Sequence, residues 1–66
     1  MKKIREHLIP AHSNLKEALE QLNELGKDAI LFAVNDAQLL VGALTDGDVR
    51  RALLKGITIN DPISTV

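Results

Sequence analysis

The chain has 66 residues, of which 45% are apolar and 26% are charged, and its formal net charge is −1. The chain has eight basic and nine acidic residues and a single aromatic residue, Phe32. This composition excludes the basic surface and the stacking platform of a typical nucleic-acid-binding protein. The sequence lacks cysteine, which excludes disulfides and cysteine-based zinc sites, and it lacks an apolar run near the ~20 residues of a membrane span. Residues 1–7 are not followed by a signal-peptide core, so a cytoplasmic location is expected.

The first part of the chain predicts a short strand followed by a helix. Leu8 and Ile9 form an apolar pair that stops at Pro10, and a proline in this place is typical of an edge strand. Asn14 is a good N-cap, with Ser13 as the alternative, and apolar residues then recur at helical spacing. A helix is therefore predicted over residues 14–25.

Two apolar runs in the middle of the chain predict a β-hairpin. They are residues 29–34 and 39–44, and residues 35–38 between them have turn chemistry. The runs are therefore expected to pair as antiparallel strands through a four-residue connection. The first run is continuously apolar rather than alternating, which is typical of a strand that is covered on both faces.

A second helix is predicted over residues 45–55, because the first turn is acidic and the last turn is basic. Asp46 and Arg50 have the i,i+4 spacing of a favourable ion pair. The predicted buried stripe of this helix consists of Val49, Ala52 and Leu53. Residues 57–62 are then expected to leave the domain as an extended segment.

Together these elements predict an α/β fold, a small β-α-β-β-α sandwich in which a three-stranded sheet carries two helices. A chain of this length buries only about 60% of the surface that it exposes when unfolded. Two helices also do not cover both faces of a sheet. The missing cover is therefore expected from another copy, another chain or the rest of a longer protein.

The junction between the last strand and the second helix is the best candidate for binding chemistry. Thr45 adds a hydroxyl donor to the unpaired N–H groups of a helix start, which suit a phosphate, and an ionised Asp48 accepts two hydrogen bonds, which fits the cis-diol of a ribose. The same residues fit an ordinary helix cap, and both interpretations stay open. Because Asp46 and Asp48 place negative charge at this junction, a phosphate there needs compensation from Arg50, Arg51, His12 or another chain.

Three stretches of the chain resemble the CBS domain, the cystathionine β-synthase motif. They are Leu-Lys-Glu-Ala-Leu at 15–19, the apolar strand at 29–34, and Leu-Val-Gly-Ala-Leu-Thr-Asp-Gly-Asp at 40–48. The resemblance covers about residues 7–59. It implies a site for AMP, ATP or a related nucleotide, in which Thr45 contacts phosphate and Asp48 binds ribose. It also implies that the adenine lies between the first strand and the hairpin. The matching positions are Ile9, Pro10, Ala29 and Ile30, and Arg50 completes the expected ligand-binding set.

The variant Thr-Asp-Gly-Asp-Val-Arg-Arg at 45–51 is similar to CBS modules that precede sugar-phosphate nucleotidyltransferase domains in bacteria. Those proteins carry two motifs in tandem, and residues 60–66 are similar to the linker that leads into the second motif. The resemblance implies that residues 1–66 are a single CBS motif of a longer protein of the nucleotidyltransferase type. The expected partner is a second CBS motif or a second copy of this chain.

Other chemistries have weaker support in the residues. Asp46-Gly47-Asp48 is similar to part of a calcium loop, but the glutamate at the twelfth position of such a loop is absent. His7 and His12 lack the spacing of a helical metal pair and are interpreted as surface residues. The sequence has no cysteine nucleophile and no Ser/His/Asp arrangement, so catalysis by this chain is not expected.

Two functions are therefore expected as alternatives. One is a regulatory module that senses an adenosine-bearing or other nucleoside-bearing ligand. The other is a structural dimerisation module, in which the acidic junction is only a helix cap. Neither a nucleic acid nor a membrane is expected as a partner.

Overall fold

The computed structural model describes residues 4–26 and 28–66, and it confirms the predicted order of strands and helices. The elements are β1 (Leu8–Pro10), α1 (Leu15–Leu25), β2 (Ile30–Val34), β3 (Leu40–Thr45) and α2 (Asp46–Leu54), with short 3-10 helices at Ile4–His7 and Ile63–Thr65. The protein is a small α/β unit with one mixed three-stranded sheet and two α-helices.

The sheet has the order β1-β2-β3, so β1 lies at an edge as its proline predicted. Strand β1 runs parallel to β2, and α1 connects the two, whereas β3 runs antiparallel to β2. The start of α1 is set by Asn14, whose side chain accepts a hydrogen bond from the N–H of Glu17 at 2.9 Å. The N-cap prediction is therefore confirmed.

Both helices pack on the same face of the sheet. Leu31 on β2 and Leu44 on β3 are opposite each other in the ladder, and they share one core cluster with Leu15 of α1 and Val49 of α2. The other members of this cluster of buried residues are Ile9, Ala18, Leu22, Ala33 and Ile63. The result is a two-layer unit whose Cα atoms extend only 14 Å along the shortest axis.

The opposite face of the sheet carries apolar residues that no element within residues 4–26 and 28–66 covers completely. Because residues paired across a sheet share a face, the pairing places one set of side chains away from the helices. We call this set the open sheet face; it consists of Leu8, Pro10, Ile30, Phe32, Val34, Leu40 and Ala43. These residues are half-buried or exposed, so the expectation that β2 is covered on both faces fails within this chain.

The hairpin differs from the prediction in length and register. Its connection has five residues, Asn35 to Leu39, because the backbone N–H of Asn35 donates to the carbonyl of Leu39 and keeps Leu39 in the turn. The Asn35 side chain also accepts hydrogen bonds from the N–H groups of Ala37 and Leu39. The register then shifts beside Val34, which pairs with Leu40, and this irregularity is a β-bulge that the apolar pattern does not reveal.

Helix α2 is one residue shorter at its end than predicted, and its buried stripe is narrower. Val49 and Ala52 are buried, but Leu53 is 40% exposed and Leu54 is 83% exposed. The prediction for Leu53 is wrong because α1 and the sheet contact only one side of this nine-residue helix.

The segment after α2 does not leave the unit. The N–H of Leu15 donates to the carbonyl of Asp61 and the N–H of Lys16 to the carbonyl of Ile59, which satisfies two free donors at the start of α1. Ile63 is 6% exposed and belongs to the core cluster, and its N–H donates to the carbonyl of Ser13 at 2.8 Å. Residues 60–66, interpreted above as a linker, therefore pack against the unit, because an apolar side chain and free helix donors hold them there.

None of the helices within residues 4–26 and 28–66 has the length and apolar character that crossing a membrane requires.

Candidate functional site

The strand-to-helix junction is organised by a reciprocal capping box. The N–H of Asp48 donates to Oγ1 of Thr45 at 3.2 Å. In return, Oδ2 of Asp48 accepts from the N–H of Thr45 at 2.9 Å and from its hydroxyl at 3.0 Å. This pair satisfies donors that would otherwise be free at the start of α2, so the cap interpretation describes these contacts fully.

The same contacts keep the Asp48 side chain ionised. The hydrogen bond from the backbone N–H of Thr45 lowers the pKa of the Asp48 carboxyl below its usual value. The Thr45 hydroxyl and the Arg51 guanidinium lower that pKa further, against a smaller opposing effect of burial. At neutral pH the junction therefore presents a carboxylate, which accepts hydrogen bonds and donates none.

Two ion pairs neutralise the acidic first turn of α2. Arg50 contacts Oδ2 of Asp46 at 2.7 Å, which confirms the predicted i,i+4 pair. Arg51 contacts Oδ1 of Asp48 at 2.6 Å, and this i,i+3 pair was not predicted. The negative charge that the sequence places at this helix start is thus matched by two guanidinium groups on the same helix.

An open cleft of about 860 Å³ lies beside this junction, between the end of α1 and the start of α2. Its residues are Leu19, Leu22, Asn23, Gly26, Asp28, Ala29, Thr45, Asp46, Gly47 and Arg50. The cleft thus combines apolar side chains from α1 with hydroxyl, carboxylate and guanidinium groups from α2 and the residue before it. Three of the predicted ligand-binding residues, Ala29, Thr45 and Arg50, line it.

The structure brings five of the seven predicted ligand-binding residues to one end of the sheet. Ile30 is the ladder partner of Thr45, and Ala29 precedes it. Asp48 and Arg50 follow on the first turns of α2.

The other two predicted residues lie elsewhere. Ile9 pairs with Ala33 and Pro10 pairs with Val34, so both lie three or more residues along the sheet from Ile30, about 10 Å or more. Ile9 is also only 2% exposed, because its side chain points into the core beneath the helices. The buried Ile9 side chain is therefore not accessible to a ligand at Thr45 within this chain, whereas Pro10 is exposed on the same face of the sheet as Ile30.

Two residues at this end of the sheet differ from their prediction, since His7 was interpreted as a surface residue and Arg51 as solvated or as a contact for a phosphate. His7 is half-buried, and its Nδ1 lies 2.9 Å from the carbonyl oxygen of Ile30, so it belongs to the same end as Thr45. Arg51 pairs with Asp48. The i,i+3 spacing of Asp48 and Arg51 was a signal for that pair, whereas the His7 contact spans 23 positions and has no local signal.

A second Thr-x-x-Asp pair provides an internal comparison. Oδ2 of Asp61 accepts from the N–H of Thr58 at 2.7 Å and from its hydroxyl at 3.1 Å. These are the same two hydrogen bonds that Asp48 receives from Thr45, but the element that follows Asp61 is the short 3-10 helix at Ile63–Thr65 rather than an α-helix. The hydrogen-bonding pattern alone is therefore not specific for a ligand site. The Thr45–Asp48 pair is distinguished by its position at the start of an α-helix, beside a cleft.

Comparison with known proteins shows that the chain is similar to one part of two longer proteins. No protein-family model matches it. Uncharacterized proteins from two strains of Helicobacter pylori are each 50% identical to it over 56 residues. The match covers 85% of this chain but 17% of each relative, so the chain spans about a sixth of their length. Most of each relative lies outside the matched region.

Proposed function

We propose that the chain is a regulatory module of the CBS type that binds a nucleoside-bearing ligand at the Thr45–Asp48 end of its sheet. The observation that carries the proposal is the Asp48 carboxylate, whose Oδ2 is fixed by two donors from Thr45 while Oδ1 faces a single exposed guanidinium. A fixed, ionised carboxylate on a side chain that is 35% exposed is a suitable acceptor for the paired hydroxyls of a ribose.

The remaining parts of the site fit the same ligand class. The apolar side chains of Leu19 and Ala29 in the cleft suit a purine ring, since small-molecule sites are mostly apolar with a few placed polar groups. The N–H groups at the start of α2 lie next to them and suit the phosphate, whereas the Thr45 hydroxyl proton is donated to Asp48. The four charged groups of Asp46, Asp48, Arg50 and Arg51 cancel, which removes the electrostatic objection to an anion.

Regulation would follow from a shift between arrangements of paired modules. A ligand that contacts two modules stabilises the arrangement in which both contacts form, and the population of that arrangement rises. The domain whose activity is regulated, the output domain, would lie in the rest of a longer protein of the nucleotidyltransferase type. The relatives extend far beyond the matched region, which leaves room for such an output domain.

Thermal denaturation with a nucleoside panel tests the proposal. We expect adenosine, AMP or ATP, or their guanine or cytosine counterparts, to raise the melting temperature of the unmutated chain, since a ligand at 100 times its Kd stabilises a fold by about 2.7 kcal/mol. The Asp48→Asn variant should lose this response because it loses the negative charge and replaces one of the two acceptor oxygens with an NH2 donor. The 2′,3′-dideoxy form of the active nucleoside should have no effect, because it lacks both hydroxyls.

Asp61→Asn is the matched control, since Asp61 makes the same two hydrogen bonds to a threonine away from the cleft. It should keep the full response to the ligand. The proposal is contradicted if no nucleoside or nucleotide stabilises the unmutated chain, or if the two asparagine variants respond alike.

The open sheet face favours a second candidate function, a structural pairing module. Phe32 and Val34 are half-buried on this face, and the neighbouring Leu40 is 64% exposed. A contiguous apolar patch of this kind usually marks an interaction surface. A second copy, or a second module of the same chain, would cover it with the same set of side chains.

The Phe32→Lys substitution tests the pairing. We expect the unmutated chain to show a dimer mass in sedimentation equilibrium at high concentration, and Phe32→Lys to be monomeric with unchanged circular dichroism, because the lysine points away from the core. Asn60→Lys, an exposed position with the same change of charge, should still form dimers. A monomer mass for the unmutated chain at every concentration contradicts self-pairing.

A further inference from the structure

The Arg51 side chain folds back along α2 towards its first turn. It contacts Oδ1 of Asp48, and it also lies over Gly47. A Cβ atom added at Gly47 would be 3.4 Å from Nη1 of Arg51 and 3.7 Å from Oγ1 of Thr45. The guanidinium and the Thr45 hydroxyl therefore flank the same point at the helix start, and the glycine leaves that point open.

The two arginines of α2 have different neighbours. Arg50 is paired with Asp46, which is not the carboxylate that closes the capping box. Arg51 is paired with the capping carboxylate itself, and it occupies the one oxygen of Asp48 that Thr45 leaves accessible. Both arginine side chains are largely exposed, at 74% for Arg50 and 65% for Arg51, so either guanidinium can move at small energetic cost.

We propose that Arg51 changes partner when a ligand binds: it yields Oδ1 of Asp48 to the ribose hydroxyls and contacts the phosphate beside Thr45. This inference rests on the proposed function and deepens it, because it makes phosphorylated nucleosides the preferred ligand class over free nucleosides. A guanidinium suits this exchange because it has five donors in a planar fork that matches carboxylate and phosphate alike.

Calorimetric titration of adenosine and AMP, or of the nucleoside and monophosphate of whichever base the panel selects, tests the exchange. The quantity of interest is the ratio of the two Kd values, nucleoside over monophosphate. Arg51→Gln should lower this ratio at least about tenfold, because it loses a charge-assisted hydrogen bond to phosphate while it removes a competitor for the ribose. Arg51→Lys should recover part of the ratio, since it restores a positive charge.

Lys55→Gln is the control, because it removes a positive charge from the other end of α2, away from the residues that line the cleft, and it should leave the ratio within about twofold of the unmutated value. A ratio in Arg51→Gln within about twofold of the unmutated value overturns the exchange alone and leaves the proposed function intact. An equal fall of the ratio in Lys55→Gln also overturns it, because the effect would then be a general one of lost positive charge. If the unmutated chain binds neither compound, the proposed function fails and the exchange fails with it.

Discussion

Leu31→Ala should remove a large part of the free energy of unfolding of this unit. Leu31 is fully buried on β2, opposite Leu44 and beneath both helices. Truncation of a buried leucine costs about 2.7–5 kcal/mol, because the transfer energy is lost and a cavity remains. Domains are generally stable by only about 5–15 kcal/mol, so the variant should unfold at a much lower urea concentration, with an unchanged m-value.

Leu54→Ala is the matched control for this prediction. Leu54 is 83% exposed, and the same substitution there should change the free energy of unfolding by no more than about 0.5 kcal/mol. Equal urea midpoints for the two variants would contradict the assignment of the core to the helix-covered face of the sheet.

Ile63→Ala should destabilise the unit by about 2–4 kcal/mol, although Ile63 lies beyond the last α-helix. Its side chain is 6% exposed in the core cluster, and its N–H is bonded to the carbonyl of Ser13. Chemical denaturation measures the effect. A chain cut directly after α2 would lose this side chain together with two hydrogen-bond partners of α1, and we expect it to be less stable still.

The Ile59→Ala variant provides the comparison, because Ile59 belongs to the same segment but is 43% exposed. Ile59→Ala should lower the free energy of unfolding much less than Ile63→Ala does. If both variants unfold at the urea midpoint of the unmutated chain, residues 60–66 act as a detached linker and do not contribute to the core.

The elements that the sequence predicted well are those whose information is local. The N-cap at Asn14, the edge strand ending at Pro10 and the ion pair between Asp46 and Arg50 each depend on a few neighbouring residues. Propensity, capping and i,i+4 spacing describe such features without knowledge of the tertiary structure.

The features that the sequence missed depend on packing over long distances. Leu53 lies at helical spacing from Val49, but no element within the described residues covers its side of α2. Ile63 enters the core through a bridge between Pro62 and Asn14, which are far apart in the sequence. A pattern of apolar residues shows which side chains can be buried, and the arrangement of the elements decides which of them are.

The candidate site also has local features that the sequence predicted and long-range features that it did not. Thr45 and Asp48 are three residues apart, and the structure shows the contact that their spacing predicted for a cap. The expected adenine positions came from the resemblance, and they separate in space because Ile9 and Pro10 pair with the far end of β2. The ligand itself stays a prediction, since Thr58 and Asp61 make equivalent hydrogen bonds without a cleft or the start of an α-helix.

The most direct measurement of the central claim is an NMR titration of the ¹⁵N-labelled chain with AMP and with the other nucleotides of the panel. The account predicts saturable shifts of the amide signals of Thr45, Gly47 and Asp48 for at least one nucleotide, with those of Thr58 and Asp61 unchanged. If no nucleotide moves the signals around Asp48, or if both Thr-x-x-Asp pairs move equally, the carboxylate of Asp48 serves the helix cap alone.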